Sequence, residues 1–175
     1  RLVGSEMCIR DRFLADQDIK RSKLVIKKLQ KKYPKSKIIF SHLNMIESES
    51  ISKNIKLAYQ KFKYLDGLVN ATFGSTADKL SELTAEKFNK ANQINLTGSF
   101  LLMRGVANKM KKGGSIVMFA SMYGLVSPKM EMYPKNINPN PIEYGAGKAG
   151  LNQMVKYFSS YYGKNNIRIL SLIHI

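Results

Sequence analysis

Tyr144 and Lys148 are four residues apart in the segment Tyr144-Gly-Ala-Gly-Lys148. On an α-helix, side chains with this spacing are neighbours on one face. A phenol has an ordinary pKa of about 10, which is too high for efficient proton transfer at neutral pH. A nearby ammonium group favours the phenolate and lowers such a pKa. The pair is therefore a candidate acid/base unit, and the alternative is a surface pair without chemistry.

Four features occur in a set order along the chain, and the last of them contains this pair. They are Asp16 after Phe-Leu-Ala, the turn Leu68-Val69-Asn70-Ala71-Thr72, the segment Asn95-Leu-Thr-Gly98, and Gly114-Ser-Ile-Val-Met-Phe-Ala-Ser121 followed by Tyr144 and Lys148. Over roughly residues 13–170 this order resembles the classical branch of the short-chain dehydrogenase/reductase family. No single segment is specific, whereas the combination is.

The resemblance implies a role for each polar residue in a nicotinamide-dependent alcohol/carbonyl oxidoreductase. Tyr144 would be the general acid in reduction and the base in oxidation, and Lys148 would bind the nicotinamide ribose. Ser121 would hydrogen-bond the substrate oxygen as charge develops on it. Asn95 would hold a water that links Lys148 to solvent. The alternatives are a strand-end cap for Ser121 and a helix kink for Asn95.

The resemblance also implies a cofactor site. Asp16 could accept hydrogen bonds from both hydroxyls of the adenosine ribose, and it would repel a 2′-phosphate. Because the next residue is Gln17 and not a cation, we expect NAD in preference to NADP. Asp18 is a competing candidate, with helix capping as its alternative role. The expected cofactor-binding residues are Asp16, Asn44, Asn70, Ala71, Tyr144 and Lys148, and no metal site is expected.

Three departures from the family pattern bear on these roles. Asn44 stands where aspartate is usual, so the adenine contact is in doubt. The turn Asn70-Ala71-Thr72-Phe73 lacks the family's glycine. The interval between Ser121 and Tyr144 is long and rich in Pro, Met and Asn, which predicts a lid over the substrate site, with a tolerated surface insertion as the alternative.

Residues 140–148 and 161–168 resemble relatives tied to glycan or flagellin-sugar modification.

Strand and helix patterns alternate along the chain, as expected for an α/β fold of the Rossmann type, a doubly wound parallel sheet. Strands are predicted near residues 13–15, 37–43, 65–70, 115–120 and from 168. Helices are predicted from the turn at residues 16–18 to about 33, and over about 48–62, 85–112 and 144–162. The last two are the expected dimer or tetramer contacts, by analogy with the family.

The sheet is expected to be incomplete. The family's phosphate-binding glycine turn is not found before Phe13, and the segment after the last strand is not found either. The first strand of such a fold lies in mid-sheet, so its neighbours should be left unpaired. Residues 1–12 and 171–175 resemble translated sequencing-adaptor DNA, and the native domain is expected over 13–170. We therefore expect an active parent enzyme, and a chain that binds cofactor poorly as written.

Composition narrows the remaining classes. The formal net charge is +17, but the lysines are dispersed, which favours a solvated surface over a nucleic-acid-binding module. No apolar run is long enough to span a membrane. One cysteine excludes an internal disulfide framework, and a cytoplasmic protein is expected. A non-catalytic scaffold relative is the other alternative, although it would have no need of Asn95, Ser121, Tyr144 and Lys148 together.

Overall fold

The protein is described by a computed structural model, which covers residues 11–134 and 136–173. Strands and helices alternate from the first described element to the last. The strands are β1 (Arg12–Asp16), β2 (Ile38–His42), β3 (Gly67–Asn70), β4 (Gly114–Phe119) and β5 (Ile167–Leu172). The helices are α1 (Ile19–Lys32), α2 (Ser48–Phe62), α3 (Ala85–Asn92), α4 (Ser99–Ala107) and α5 (Ile142–Tyr162).

All strand pairs are parallel, and they form two sheets. One sheet contains β1 and β2, and the other has the order β3-β4-β5. Crossovers through helices between parallel strands are the hallmark of the doubly wound α/β class, so the predicted Rossmann-type fold is confirmed. No described strand pairs with the free edge of β1 or of β3, as was predicted for an incomplete sheet.

A cleft of ≈ 610 Å³ lies between the two sheets. Phe13 and Ala15 of β1 line one side, and Leu68 and Val69 of β3 line the other. Val69 is 67% exposed, although valine in a central parallel strand is normally covered on both faces. The cleft therefore opens the core at the junction of the two sheets.

Helices α2, α4 and α5 pack over the remainder of the hydrophobic core. Met103 of α4 and Ile116 and Met118 of β4 have no exposed surface, and Leu151 of α5 is 2% exposed. Ile116 and Met118 lie on one face of β4, which is fully buried, and Val117 on the other face is half-buried, in keeping with the apolar run of this strand. Strand β4 is thus the rigid element that ends next to Ser121.

The predicted helix over residues 85–112 is wrong in two respects. Thr84 caps α3 as its composition suggests, with its side chain accepting from the backbone N–H of Lys87. However, a π-helical segment, Gln93–Gly98, separates α3 from α4, and α4 ends at Ala107. The spacing of apolar residues in the sequence does not reveal the extra residue that a π-helical turn contains. Such segments occur frequently at functional sites.

The boundaries of the expected native domain remain a prediction. Arg12 is the first residue of β1, where it pairs with Ile38, and Ser171 and Leu172 are the last two residues of β5. Residues 1–10 and 174–175 lie outside the described residues. Among the described residues, no helix is long and apolar enough to cross a membrane.

Candidate active site

Helix α5 brings Tyr144 and Lys148 to one side. The Lys148 Nζ donates a hydrogen bond of 2.5 Å to the backbone carbonyl of Phe119, the last residue of β4. The same nitrogen lies 5.6 Å from the centre of the Tyr144 ring. The ammonium and the phenol therefore lie side by side on one face of the helix, as the spacing predicted, and the ammonium is bonded to the carboxyl end of β4.

Burial changes the acid–base behaviour of Lys148. Its side chain is 3% exposed, and desolvation by this burial lowers the pKa of Lys148 to about 8. Low dielectric disfavours the charged form of an amine. The hydrogen bond to Phe119 compensates only part of that cost. Lys148 can therefore gain or lose a proton close to neutral pH, as a group in a proton relay must.

Ser121 is held beside the first turns of α5. The short 3₁₀ turn Met122–Gly124 follows it, and the Ser121 Oγ accepts a hydrogen bond of 3.2 Å from the backbone N–H of Tyr123. A Cβ added at Gly124 would lie 2.6 Å from the carbonyl carbon of Lys148, so this turn packs directly on the helix. Among the described residues Ser121 Oγ only accepts, which leaves its hydroxyl proton available to a substrate oxygen.

Asn95 lies in the π-helical segment and is 2% exposed. Its Oδ1 accepts from the backbone N–H of Gly74 at 2.9 Å, and its Nδ2 donates to the carbonyl of Gly74 at 2.8 Å. Both ends of the amide are therefore committed to the loop after β3. The predicted water contact of Asn95 stays a prediction, and the helix irregularity is present as the alternative role supposed.

Gly147 lets α5 approach Asn95. A Cβ at Gly147 would lie 2.8 Å from the Cβ of Asn95 and 2.8 Å from the Oδ1 of Asn92. Because Asn95 is fixed by two hydrogen bonds, its side chain cannot easily move away. The glycine one residue before Lys148 thus places the π-helical segment next to Tyr144 and Lys148.

We expect Gly147→Ala to destabilise the protein by about 1–3 kcal/mol, because overpacking outweighs the gain in helix propensity. Urea unfolding followed by circular dichroism would measure this. Gly163→Ala is the matched control, since nothing lies within 4 Å of a Cβ at that position. Equal stability of the two variants would contradict the close approach.

The turn after β3 is built on Asn70, which is 4% exposed. Its Nδ2 donates to Ser99 Oγ at 3.2 Å, and its Oδ1 accepts from the backbone N–H and the hydroxyl of Thr72 at 3.1 and 2.7 Å. Ala71 and Phe73 line the cleft together with Asn70. Asn70 therefore shapes the cleft wall, and its own amide is satisfied within the protein.

Asp16 and Asn44 lie at the carboxyl ends of β1 and β2 and line the same cleft. The Oδ1 of Asp16 accepts from the backbone N–H of Asp18 at 2.8 Å, and its exposed carboxylate has room for further donors. Asp18 caps α1, accepting from the backbone N–H of Arg21 at 2.9 Å. Asp18 thus has the capping role that was its alternative, and Asp16 is the freer carboxylate.

Asn44 has a strong internal partner, because its Nδ2 donates to Glu47 Oε1 at 2.7 Å. Its Oδ1 accepts from the backbone N–H of Ile46 at 3.1 Å. A ligand contact by this side chain would compete with both bonds. The contact between Asn44 and adenine therefore stays a prediction, and it would have to form in addition to these internal hydrogen bonds or replace them.

Two residues of the site were not predicted from the sequence. Phe73 joins the cleft to the acid/base pair, because it lines the cleft and its ring stands edge-on to that of Tyr144 at 6.2 Å. Glu143, assigned from the sequence to the end of a loop, lies in the first turn of α5 with no exposed surface. In the sequence, Phe73 stood out because it replaces the family's turn glycine, whereas no local pattern marked Glu143 as a site residue.

The interval between Ser121 and Tyr144 folds partly back on the site. Tyr133 follows a 3₁₀ turn, Met130–Met132, and its hydroxyl lies 2.5 Å from that of Tyr123. This hydrogen bond is the main cause that raises the pKa of Tyr133. It ties the interval to the turn that follows Ser121. A lid role remains a prediction.

A family model described as enoyl-(acyl carrier protein) reductase matches residues 12–173. The trans-4-hydroxycyclohexanecarboxylate dehydrogenase of Sinomonas cyclohexanicum is 31% identical over 135 residues, which are 77% of this chain and 48% of that protein. The post-translational flagellin modification protein A of Campylobacter coli is 26% identical over 144 residues, or 79% of this chain and 56% of that protein. The chain thus spans about half the length of these relatives.

Solved structures share the fold at lower sequence identity. A levodione reductase has a TM-score of 0.81 at 21% identity, with 92% of this chain and 60% of that chain covered. An alcohol dehydrogenase of Thermococcus sibiricus, complexed with 5-hydroxy-NADP, has a TM-score of 0.77 at 20% identity, with 93% and 64% covered. The ordered site features, the parallel fold and the match to nearly all described residues lead to one conclusion. The chain belongs to the short-chain dehydrogenase/reductase family.

Proposed function

We propose that the protein containing this chain is a nicotinamide-dependent oxidoreductase that interconverts an alcohol and a carbonyl compound. The observation that carries the proposal is the geometry of Lys148, which is buried, bonded to the end of β4 and 5.6 Å from the Tyr144 ring. A buried ammonium is costly unless its charge is used or compensated. Its position beside a phenol fits proton transfer at the end of a parallel sheet, where α/β enzymes bind their ligands.

The described residues include groups that fit the adenosine ribose and the nicotinamide end of a dinucleotide. The exposed carboxylate of Asp16 lies at the rim of the cleft between β1 and β3, where it can accept hydrogen bonds from ribose hydroxyls. Lys148 and Tyr144 would hold the nicotinamide end. Phe73, which lines the cleft and contacts the Tyr144 ring, would lie between the ribose site and the nicotinamide site. The NAD preference rests on Asp16, whose negative charge disfavours a 2′-phosphate. Bound there, the cofactor would supply or accept a hydride.

The chain's own residues would manage the proton. In reduction, the Tyr144 hydroxyl would donate its proton to the substrate oxygen as the substrate carbon becomes an alcohol carbon. The Ser121 hydroxyl would donate a hydrogen bond to the same oxygen and stabilise its developing charge. The ammonium of Lys148 would favour the phenolate left behind. In oxidation the phenolate would take the proton from the alcohol.

We propose an alcohol or a carbonyl compound as the substrate, and the names of two relatives suggest more specific candidates. One relative is named for a hydroxylated cyclohexanecarboxylate and another for flagellin modification. A sugar derivative used in glycan or flagellin modification is therefore a candidate, as is an alicyclic alcohol. We also propose a cytoplasmic enzyme that assembles as a dimer or tetramer. The exposed rings of Tyr157 and Tyr161 on α5 would support such a contact.

The test is an assay of the complete reading frame with NADH or NADPH and a panel of cyclic ketones and keto sugars. We expect substrate-dependent loss of NADH absorbance, with NADH preferred to NADPH. A fluorescence titration with NADH should show binding to the complete protein that exceeds binding to the 175-residue chain. Failure of the complete protein to bind either nucleotide would overturn the proposed function.

A further inference from the structure

Glu143 is a buried carboxylate that the proposed chemistry does not use. It immediately precedes Tyr144 and has no exposed surface. Its Oε1 accepts hydrogen bonds of 2.9 Å from both the backbone N–H and the hydroxyl of Thr76. These bonds join α5 to the loop after β3, across 67 positions of sequence.

Stability alone does not explain a glutamate at this position. The second oxygen, Oε2, is buried and has no hydrogen-bond partner among the described residues. Burial of a carboxylate with an unsatisfied oxygen is costly, and well-packed apolar side chains often replace buried charges without loss of stability. What Glu143 supplies that an apolar residue could not is a double acceptor for Thr76.

The loop that Thr76 belongs to is strained and attached at separate points. Ala77 has a φ of 59°, in the left-handed region that a residue with a Cβ rarely occupies. Thr76 Oγ1 also accepts from the backbone N–H of Asp78 at 3.1 Å. Nearer β3, Gly74 is bound by both ends of the Asn95 amide. Asn95 and Glu143 therefore hold the loop from opposite sides of Ser75.

The attached segment carries Phe73 to the ring of Tyr144. The two ring centres are 6.2 Å apart and the ring planes are at 89°, a favourable edge-to-face contact. Phe73 is nevertheless 63% exposed, so burial in the core does not fix its position. Its place depends on the loop, which Asn70 holds at Thr72, Asn95 at Gly74 and Glu143 at Thr76. Of these three attachments, the one at Glu143 connects the loop directly to the helix that carries Tyr144.

We propose that Glu143 is a positioning residue, which holds Phe73 against Tyr144 through its two hydrogen bonds to Thr76. The contact restricts the orientations of the Tyr144 ring. The inference rests on the proposed function only where it assigns proton transfer to Tyr144, because the contact itself exists independently of turnover. Glu143 acts through the loop and does not touch the reacting atoms.

The test follows the Tyr144 ring by NMR, in protein labelled with carbon-13 at the tyrosine rings and assigned with Tyr144→Phe. We expect Glu143→Leu to move the Tyr144 resonance in the same direction as Phe73→Leu. Glu143→Gln keeps an acceptor for Thr76 and should retain the wild-type position. In the Glu143→Leu/Phe73→Leu double variant, the glutamate change should add little, because one contact carries both effects.

Two further variants keep the test decisive. Thr76→Val removes one of the two hydrogen bonds to Glu143, together with the bond that Thr76 Oγ1 accepts from Asp78, and should give a smaller shift of the same sign. This variant tests the proposal even if Glu143→Leu does not fold. Glu49→Leu, at an exposed glutamate in the first turn of α2, should leave the resonance unchanged. An unchanged Tyr144 signal in folded Glu143→Leu or in Thr76→Val would overturn the proposal, as would full additivity with Phe73→Leu.

Kinetics separate this inference from the proposed function. In the complete protein, Glu143→Leu should lower kcat by about 10- to 100-fold with little change in KM, because misplacement of a reacting group mainly slows the chemical step. If the wild type shows no turnover while the resonance moves as expected, the positioning role holds and the proposed function fails. If kcat is normal in Glu143→Leu, the positioning role fails and the proposed function stands.

Discussion

Replacement of Tyr144 by phenylalanine in the complete protein is expected to lower kcat/KM by about 10²–10⁴-fold, the usual contribution of a positioned general acid. The substitution removes the hydroxyl and keeps the ring that contacts Phe73. The unfolding midpoint should therefore change little, and the affinity for NADH should fall only modestly, because Lys148 and Asp16 remain. Steady-state kinetics, NADH titration and urea unfolding would measure the three quantities separately.

Tyr64→Phe is the matched control for this change. Tyr64 lies in the segment between α2 and β3, outside the candidate site, and is 56% exposed. Loss of its hydroxyl should leave kcat/KM within about twofold of wild type, as expected for an isolated surface substitution. Activity of Tyr144→Phe near that of Tyr64→Phe would remove Tyr144 from the proposed chemistry.

Replacement of Lys148 by methionine is expected to abolish most activity and to raise stability near pH 7. Burial lowers the pKa of Lys148 to about 8, while in the unfolded chain the ordinary value of 10.5 applies. Between these values the unfolded state binds more protons, so the free energy of unfolding of the wild type should increase as pH rises from 8 to 10.5. Below pH 8 the full cost of the buried ammonium is present.

The magnitude follows from the size of the shift. A pKa lowered from 10.5 to about 8 corresponds to a cost of roughly 3 kcal/mol in the stability of the folded protein. Lys148→Met removes this cost, but it also loses about 1 kcal/mol with the hydrogen bond to the carbonyl of Phe119. We therefore expect Lys148→Met to gain about 1–3 kcal/mol at pH 7. Its advantage over wild type should disappear by about pH 10.5. Urea unfolding at a series of pH values would measure this.

Lys156→Met on the same helix is the control, because Lys156 is exposed. Its stability should follow that of the wild type across the whole pH range. A parallel pH dependence of wild type and Lys148→Met would show that Lys148 is not buried as an ammonium. Gain of stability with loss of activity would be the usual compromise of a functional site.

Local patterns predicted the elements and the acid/base pair. The four-residue spacing of Tyr144 and Lys148 gives adjacency on any helix, so their shared face needed no tertiary information. The helix Ser48–Phe62 was predicted with the bounds that the structure shows, because its apolar residues repeat at helical spacing. The parallel class followed from the alternation of strands and helices.

Contacts between distant segments were not predicted. The bonds of Glu143 to Thr76 and of Asn95 to Gly74 cross 67 and 21 positions, and no periodicity records such pairs. The π-helical segment Gln93–Gly98 was missed because an inserted residue barely disturbs an apolar pattern. Phe73 was noticed only as a missing glycine, since its contact with Tyr144 depends on how the loop is held.

The most direct test of the central claim is a double-variant cycle on the rate of NADH oxidation in a single turnover of the complete protein. We expect Tyr144→Phe and Lys148→Met each to cause a large loss of rate, and the double variant to be hardly slower than the worse single variant, because the two groups act as a unit. Losses that add in full, or a single variant that reacts at the wild-type rate, would contradict it.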